Sequence, residues 1–198
     1  MKSKIDSILA LCDKGNGVVT TTQVSSAGLP RALLPYLVSR GVLSKMARGV
    51  YCRPDVWEDE LVLLQHRFRT GVFAEDSALW LADLSDRTPE RPCLSFAAKH
   101  NVSAARAAGV RCVRSPAGRH GIGGVEYRTP NGNVVRGYSP ERTLCDILRP
   151  RAHADPQLVR DAFRRWAVRP GRDIPALIDY ARLLGVWEKV QSYLEVLP

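Results

Sequence analysis

The sequence predicts an α+β protein, in which an N-terminal winged helix-turn-helix is followed by a larger mixed α/β domain with a helical C-terminal end. Three observations predict it. Residues 1–54 carry three short capped amphipathic segments and then an alternating basic stretch around a glycine turn. After the acid run "DVWEDE" at 55–60 the pattern changes to short apolar strands separated by turn residues, and it ends in capped helical segments. The 198 residues, 45% hydrophobic and 25% charged, suffice for one full core or two small ones. The expected division is therefore 1–54 and 55–198.

The first helix opens with the capping-box pair Ser3 and Asp6, carries Ile5, Ile8, Leu9 and Cys12 at helical spacing, and stops at Gly15. Thr20 with Gln23 repeats the cap signature for a second helix. There Val24 and Ala27 are expected to face inward, and Gly28 to close the helix in a left-handed conformation. Pro30 suits the first position of a third helix with the apolar stripe Leu33, Leu34, Leu37 and Val38, ended by Gly41. Pro35 inside that segment implies either a later start, nearer Leu33, or a kink. "VLSKMARGVYCR" then reads as a two-stranded hairpin turning at Ala47, Arg48 and Gly49, the wing.

Charge points to a partner. The net charge is +9, and residues 1–54 hold eight Lys and Arg against two Asp. From Thr21 to Tyr51 there is no carboxylate at all, although Arg31, Arg40, Lys45 and Arg48 are kept. A surface that lies against phosphates cannot carry carboxylates, because each would repel nucleic acid where counterion release supplies affinity. With the leucine stripe inward, Arg31, Ala32, Pro35, Tyr36 and Ser39 lie on the opposite side and are expected in a major groove, with Arg40 beside them. Thr21, Thr22 and Gln23 are expected to offer free amides and hydroxyls to a phosphate, and Lys45 and Arg48 to set the wing on the backbone or minor groove. Small three-helix units with hairpins also serve as protein-docking modules, which stays open. No apolar run reaches the roughly 18 residues that span a bilayer. Asp6 and Asp13 interrupt the N-terminal segment, so the expectation is a cytoplasmic protein with no membrane partner.

In the second region Asp55 is expected to cap a helix with Glu58, Asp59 and Glu60 in its first turn and Trp57, Leu61, Leu64 and Phe68 on one face. "SALWLADL" reads as a buried helix capped by Ser77. "CLSFA", "GVRCVR", "GVEYRTP" and "NVVRGY" read as strands, the last two a hairpin through Asn131 and Gly132. "SPERTLCDILRP", "DPQLVRDAFRRWAV" and "DIPALIDYARLLGVWEKVQSYLEVL" read as helices, the last broken at Gly185.

Chemistry is sparse. His66, His100, His120 and His153 are isolated, and "GIGGVEY" precedes a strand and lacks the Lys and Ser or Thr of a phosphate loop. Asp83, Glu90 and Glu126 have no neighbouring lysine to complete a metal-dependent nuclease site, and Ser139, like Ser77, reads as a cap rather than a nucleophile. Arg160, Arg164 and Arg165 read as a solvated helix face. Cys12, Cys52, Cys93, Cys112 and Cys145, an odd set without a CxxC pair, are expected reduced and mostly buried. No catalytic residue, metal site or cofactor is expected, and the chain reads as no enzyme.

The order of motifs resembles the AbiEi-type antitoxins of type IV, abortive-infection, toxin-antitoxin systems. The stretches that carry the resemblance are "GVVTTTQV", "LVSRGVLSKMARGVY", "EDELVLLQHRF", "ALWLADLSDRTP", "RTPNGNVVRGYSPERTLCDIL" and "YLEVL". The chain departs from the family pattern at Pro30 and Pro35 and in "FAEDSALW", where the family usually has "FSHETALY". The resemblance implies that 1–54 is a DNA-binding domain repressing its own operon at inverted repeats in the promoter, and that 55–198 is an antitoxin domain counteracting a nucleotidyltransferase toxin, with or without a stable complex. Two other readings stand beside it. One is a winged-helix regulator whose larger domain senses a ligand or partner, without a toxin. The other is a nucleic-acid enzyme with a targeting wing.

Overall fold

A computed structural model describes residues 3–55, 59–116, 118–152 and 154–195. The α+β class is as the sequence predicts, and the chain forms two compact units, Met1–Arg67 with Arg128–Val135, and Phe68–Tyr127 with Arg136–Pro198.

The first unit begins with α1 (Lys4–Lys14), whose capping box is closed on both sides: Asp6 N–H donates to Ser3 Oγ at 3.1 Å and Ser3 N–H to Asp6 Oδ2 at 2.9 Å. A short strand β1 (Val18–Thr20) leads directly into α2 (Thr21–Ser26), capped by Thr20 and Gln23 as expected. The helix ends in a Schellman turn, in which Leu29 N–H donates to Val24 O and Gly28 N–H to Ser25 O, both at 3.0 Å, with Gly28 at φ +68°. Ala27 is exposed, not inward as expected, because it is the C-cap residue of a helix only six residues long, and Leu29 packs on the core in its place. Helix α3 (Leu33–Ser39) starts after Ala32, so Pro30 lies in the tight turn before it and not at its first position. Pro35 then falls in the first helical turn, where a missing N–H leaves no intrahelical bond unmade, and no kink is needed.

The hairpin of β2 (Ser44–Ala47) and β3 (Val50–Cys52) turns at Arg48 and Gly49, but the expected two-stranded wing is a three-stranded sheet. Strand β1 pairs antiparallel with β3, Val19 opposite Tyr51. Ile8, Cys12, Val19, Val24, Leu34, Leu37, Leu43 and Tyr51 form one buried cluster shared by all three helices and the sheet. Helix α4 (Glu60–Arg67) adds Val62 and Leu63 against Val18, Val50 and Cys52. Its cap is Asp59 rather than Asp55, since Val62 N–H donates to Asp59 Oδ1 at 3.3 Å; Trp57 and Glu58 lie outside the described residues. Buried Asp59 also accepts from Asn133 Nδ2 at 2.9 Å and from Thr129 Oγ1, which joins segment 128–135 to this unit.

The second unit contains β4 (Val72–Phe73), α5 (Glu75–Leu81), β5 (Cys93–Ala97), α6 (Ser103–Ala107), β6 (Arg111–Ser115) and all but the hairpin ends of β7 (Gly124–Arg128) and β8 (Val134–Tyr138), since Arg128, Val134 and Val135 fall in the first. Their sheet runs in the order β6-β5-β4-β8-β7, with β5 and β6 parallel across α6. Helices α7 (Pro140–Ile147), α8 (Pro156–Ala167), α9 (Ile174–Leu184) and α10 (Trp187–Leu194) follow, and Gly185 at φ +69° breaks the last pair. Leu79, Leu144, Phe163, Trp166, Leu177 and Val190 belong to their buried core. Ser77 is not a cap. Helix α5 starts two residues earlier, and Ser77 Oγ is buried inside it, accepting Cys93 N–H at 2.8 Å. No helix among the described residues is long and apolar enough to cross a membrane.

Candidate nucleic-acid interface

The residues singled out for DNA fall on three neighbouring pieces of the first unit. Thr21, Thr22 and Gln23 form the first turn of α2; Arg31 and Ala32 occupy the turn before α3, Tyr36 and Ser39 lie on α3, and Arg40 is its C-cap. Lys45 is in β2 and Arg48 in the hairpin turn. Burial follows the helical period. Leu34 and Leu37 are in the core, whereas Arg31, Ala32, Pro35, Tyr36, Ser39 and Arg40 are all exposed, Tyr36 by 48%.

The first turn of α2 differs from expectation. Thr21 N–H is spent on Gly49 O at 2.9 Å, and Gln23 N–H on Thr20 Oγ1 at 3.2 Å. These amides are occupied within the fold because a helix opening straight from a strand closes its orphan donors on the neighbouring turn and on its own cap. Thr21 thus fastens the hairpin turn to α2. Gly49 sits at φ +80°, and a Cβ there would stand 2.8 Å from Thr21 Oγ1, so this approach needs glycine. The result holds Arg48 in a turn anchored at Gly49.

Ser25 is the site residue that sequence reasoning missed. Its hydroxyl donates to Thr21 O at 2.8 Å and accepts the Nε–H of Arg31. The fixed side of the guanidinium therefore faces α2, leaving its two Nη groups for a ligand. The available signal was a serine four residues after the helix start, with an arginine six residues further on. Ser39 Oγ donates to Tyr36 O at 2.7 Å, which leaves its lone pairs rather than its proton for a base edge.

Electrostatics follow from what is missing between 21 and 51. Among the described residues no carboxylate pairs with Arg31, Arg40, Lys45 or Arg48, whereas Asp13 is held by Arg53 at 2.8 Å. The four cations thus form a basic surface that no carboxylate of the described residues offsets.

Elsewhere, the groups that could carry chemistry have structural partners. Burial pushes the Cys12 thiol up to about 11 and the Cys145 thiol up to about 12, so both are protonated at neutral pH. All five cysteines are free, and only Cys112 is partly exposed. The His100 ring stacks on Phe96 at 5.1 Å, and His120 Nε2 lies 2.8 Å from Thr70 O. Ser139 Oγ caps α7. Arg165 pairs with Asp86 and Arg160 with Gln157, so two of the three arginines read as a solvated face are engaged. His153 lies outside the described residues. Among the described residues, no group of three or more His, Cys, Asp or Glu stands where it could hold a metal ion.

Comparison with known proteins bears on the same segment. Residues 6–54 match the family model of the AbiEi antitoxin transcriptional regulators. The N-terminal segment is thus similar to the AbiEi antitoxins. That family is one of transcriptional regulators and antitoxins, and the matched residues run from α1 through the basic hairpin. No curated protein matches the chain. Among solved structures, the RV2827C protein from Mycobacterium tuberculosis is similar with a TM-score of 0.52 and 18% identity, over 97% of this chain and 80% of that one. At that identity the likeness is one of fold.

Proposed function

We propose that this AbiEi-type protein is the antitoxin of a type IV toxin-antitoxin system. It represses its own operon by binding inverted repeats in the promoter, and it counteracts a nucleotidyltransferase toxin in the cytoplasm without being an enzyme itself. One observation carries the DNA half: a carboxylate-free surface on α2, α3 and the hairpin presents Arg31, Arg40, Lys45 and Arg48, none paired with a carboxylate among the described residues. In this reading Arg31 donates its Nη pair to guanine O6 and N7, and Tyr36 and Ser39 contact base edges. Ala32 gives apolar contact there, while Arg40, Lys45 and Arg48 neutralise phosphates. Thr22 and the Gln23 side chain supply polar contacts at the α2 end.

The antitoxin half rests on the family match over 6–54 and on the motif resemblance along the rest of the chain. A gel-shift titration on the chain's own promoter and on random DNA, paired with co-expression of the neighbouring nucleotidyltransferase, tests both halves. Tight promoter binding with growth rescue supports the proposal. Promoter binding without rescue, or the lack of such a neighbouring gene, would instead favour a regulator with a sensing domain.

A further inference from the structure

The five-stranded sheet ends at β7, which has no strand on its outer side among the described residues. Gly124, Val125, Glu126 and Arg128 are exposed and Tyr127 is half-buried. The hairpin register decides which main-chain groups face outward. Thr129 N–H donates to Asn133 O at 2.8 Å and Ser139 N–H to Gly123 O at 2.7 Å. By two-residue alternation, Val125 and Tyr127 also bond toward β8, and Glu126 and Arg128 turn their N–H and C=O groups outward. Gly124, the third outward position, folds its N–H back toward Gly121 O at 3.5 Å. The side chains of Glu126 and Arg128 share one face of the strand. Tyr127 sits on the other, its hydroxyl donating to Tyr138 O at 2.7 Å, beside Val125, which is 38% exposed.

An open edge of this kind is a template for pairing, which proteins usually block with lysine, proline or a bulge. Residues 124–128 contain no lysine and no proline, and their two charges are opposite and two positions apart. We propose that β7 joins two copies of this chain by antiparallel pairing with its own two-fold equivalent, centred on Tyr127. Charge selects that register. Glu126 then faces Arg128 of the partner subunit, and the symmetry makes the contact twice. Centring on Glu126 or on Arg128 sets like charges against each other, centring on Val125 leaves both charges without a partner, and a one-residue slip opposes outward groups to inward ones. The contact consists of about four main-chain hydrogen bonds and two ion pairs, a small area, so the dimer is weak and concentration-dependent.

Sedimentation velocity of the full chain without DNA, over a concentration series, tests this. The native chain should dimerise. Glu126→Arg and Arg128→Glu should each weaken dimerisation roughly tenfold, and the double swap should restore it to within about twofold. Both side chains are exposed, so melting temperatures should not change; if a swap does lower one, Glu126→Gln, which removes only charge, should still weaken the dimer. A native chain that stays monomeric throughout overturns the proposal, as do single swaps that dimerise like the native chain or a double swap that fails to recover. A monomer that instead pairs its β7 edge with another protein overturns it equally.

Discussion

The Nε–H of Arg31 donates to Ser25 Oγ, and the Ser25 hydroxyl donates in turn to the carbonyl of Thr21 at 2.8 Å. This chain of bonds ties the turn before α3 to the first turn of α2 and fixes one side of the guanidinium. An arginine so held loses little further freedom when it meets a base. Arg31→Ala should therefore cost roughly 1–3 kcal/mol on the promoter and much less on random DNA. Ser25→Ala should reduce the same discrimination by a smaller amount and leave the salt dependence unchanged. Parallel titrations on the two DNAs measure it, and equal losses on both would make Arg31 a phosphate contact.

Arg48 lies in a turn whose following residue, Gly49, is anchored by Thr21. Its expected role is to neutralise a phosphate, so Arg48→Ala should weaken binding to all sequences and lower the slope of log affinity against log salt by about one unit. A gel-shift series at several salt concentrations reads the slope directly. An unchanged slope removes Arg48 from the phosphate contacts.

Asp59 is the most connected buried carboxylate of the first unit, accepting from Val62 N–H, Asn133 Nδ2 and Thr129 Oγ1. Asp59→Ala strands two buried donors and removes a helix cap, which should cost about 3 kcal/mol of unfolding free energy by urea titration. Asn133→Ala removes one partner and should cost about 1 kcal/mol. A loss for Asp59→Ala with none for Asn133→Ala would place the effect in the cap alone.

The motif "SPERTLCDIL" shows what sequence could and could not reveal. As a helix with a serine cap and proline in its first turn it is fully legible, because those signals are local. Its charged residues look exposed on paper, yet Glu141, Arg142 and Asp146 are all buried. Glu141 accepts from Trp166 Nε1 at 2.9 Å, and Arg142 donates to Asp146 at 2.9 Å and to Ile122 O at 2.9 Å. Arg142 and Asp146 are an i,i+4 pair within the helix, but Ile122 and Trp166 lie 20 and 25 residues from their partners, and local pattern carries no trace of them. Strand β1 escaped notice for the same reason, since its pairing with β3 spans some thirty residues and only three residues take part. At the candidate site, the exposed face of α3 follows from periodicity alone. The Ser25–Arg31 bond and the spent amide of Thr21 depend on how the turns close, and they emerge only in three dimensions.

Arg142 makes one glycine of "GIGGVEY" indispensable. Gly123 sits at φ +75°, and a Cβ there would stand 2.9 Å from Arg142 Cβ and 3.2 Å from the Tyr180 ring. Neither a buried arginine nor the backbone conformation can yield cheaply, so Gly123→Ala should destabilise the protein by roughly 2–4 kcal/mol. Gly121→Ala, with open space around it, is the control and should change stability by less than about 1 kcal/mol. Urea unfolding of the pair measures the difference.

DNA binding and antitoxicity should separate by point substitution. Each compact unit has its own buried cluster, one built on Leu34, Leu37 and Tyr51, the other on Leu144, Phe163 and Trp166. Cutting the chain after residue 54 is a poor way to divide them, because segment 128–135 belongs with the first unit and α4 packs Val62 and Leu63 against Val18, Val50 and Cys52. Substituting exposed cations leaves both clusters intact. Arg31→Ala combined with Arg48→Ala in the full chain should abolish promoter repression, because it removes a base contact and a phosphate contact at once. It should leave growth rescue against the neighbouring toxin unchanged. A promoter reporter and a co-expression growth assay on the same strain read both outcomes. If the folded double variant loses rescue together with repression, antitoxicity acts through DNA and the two units do not carry separate functions.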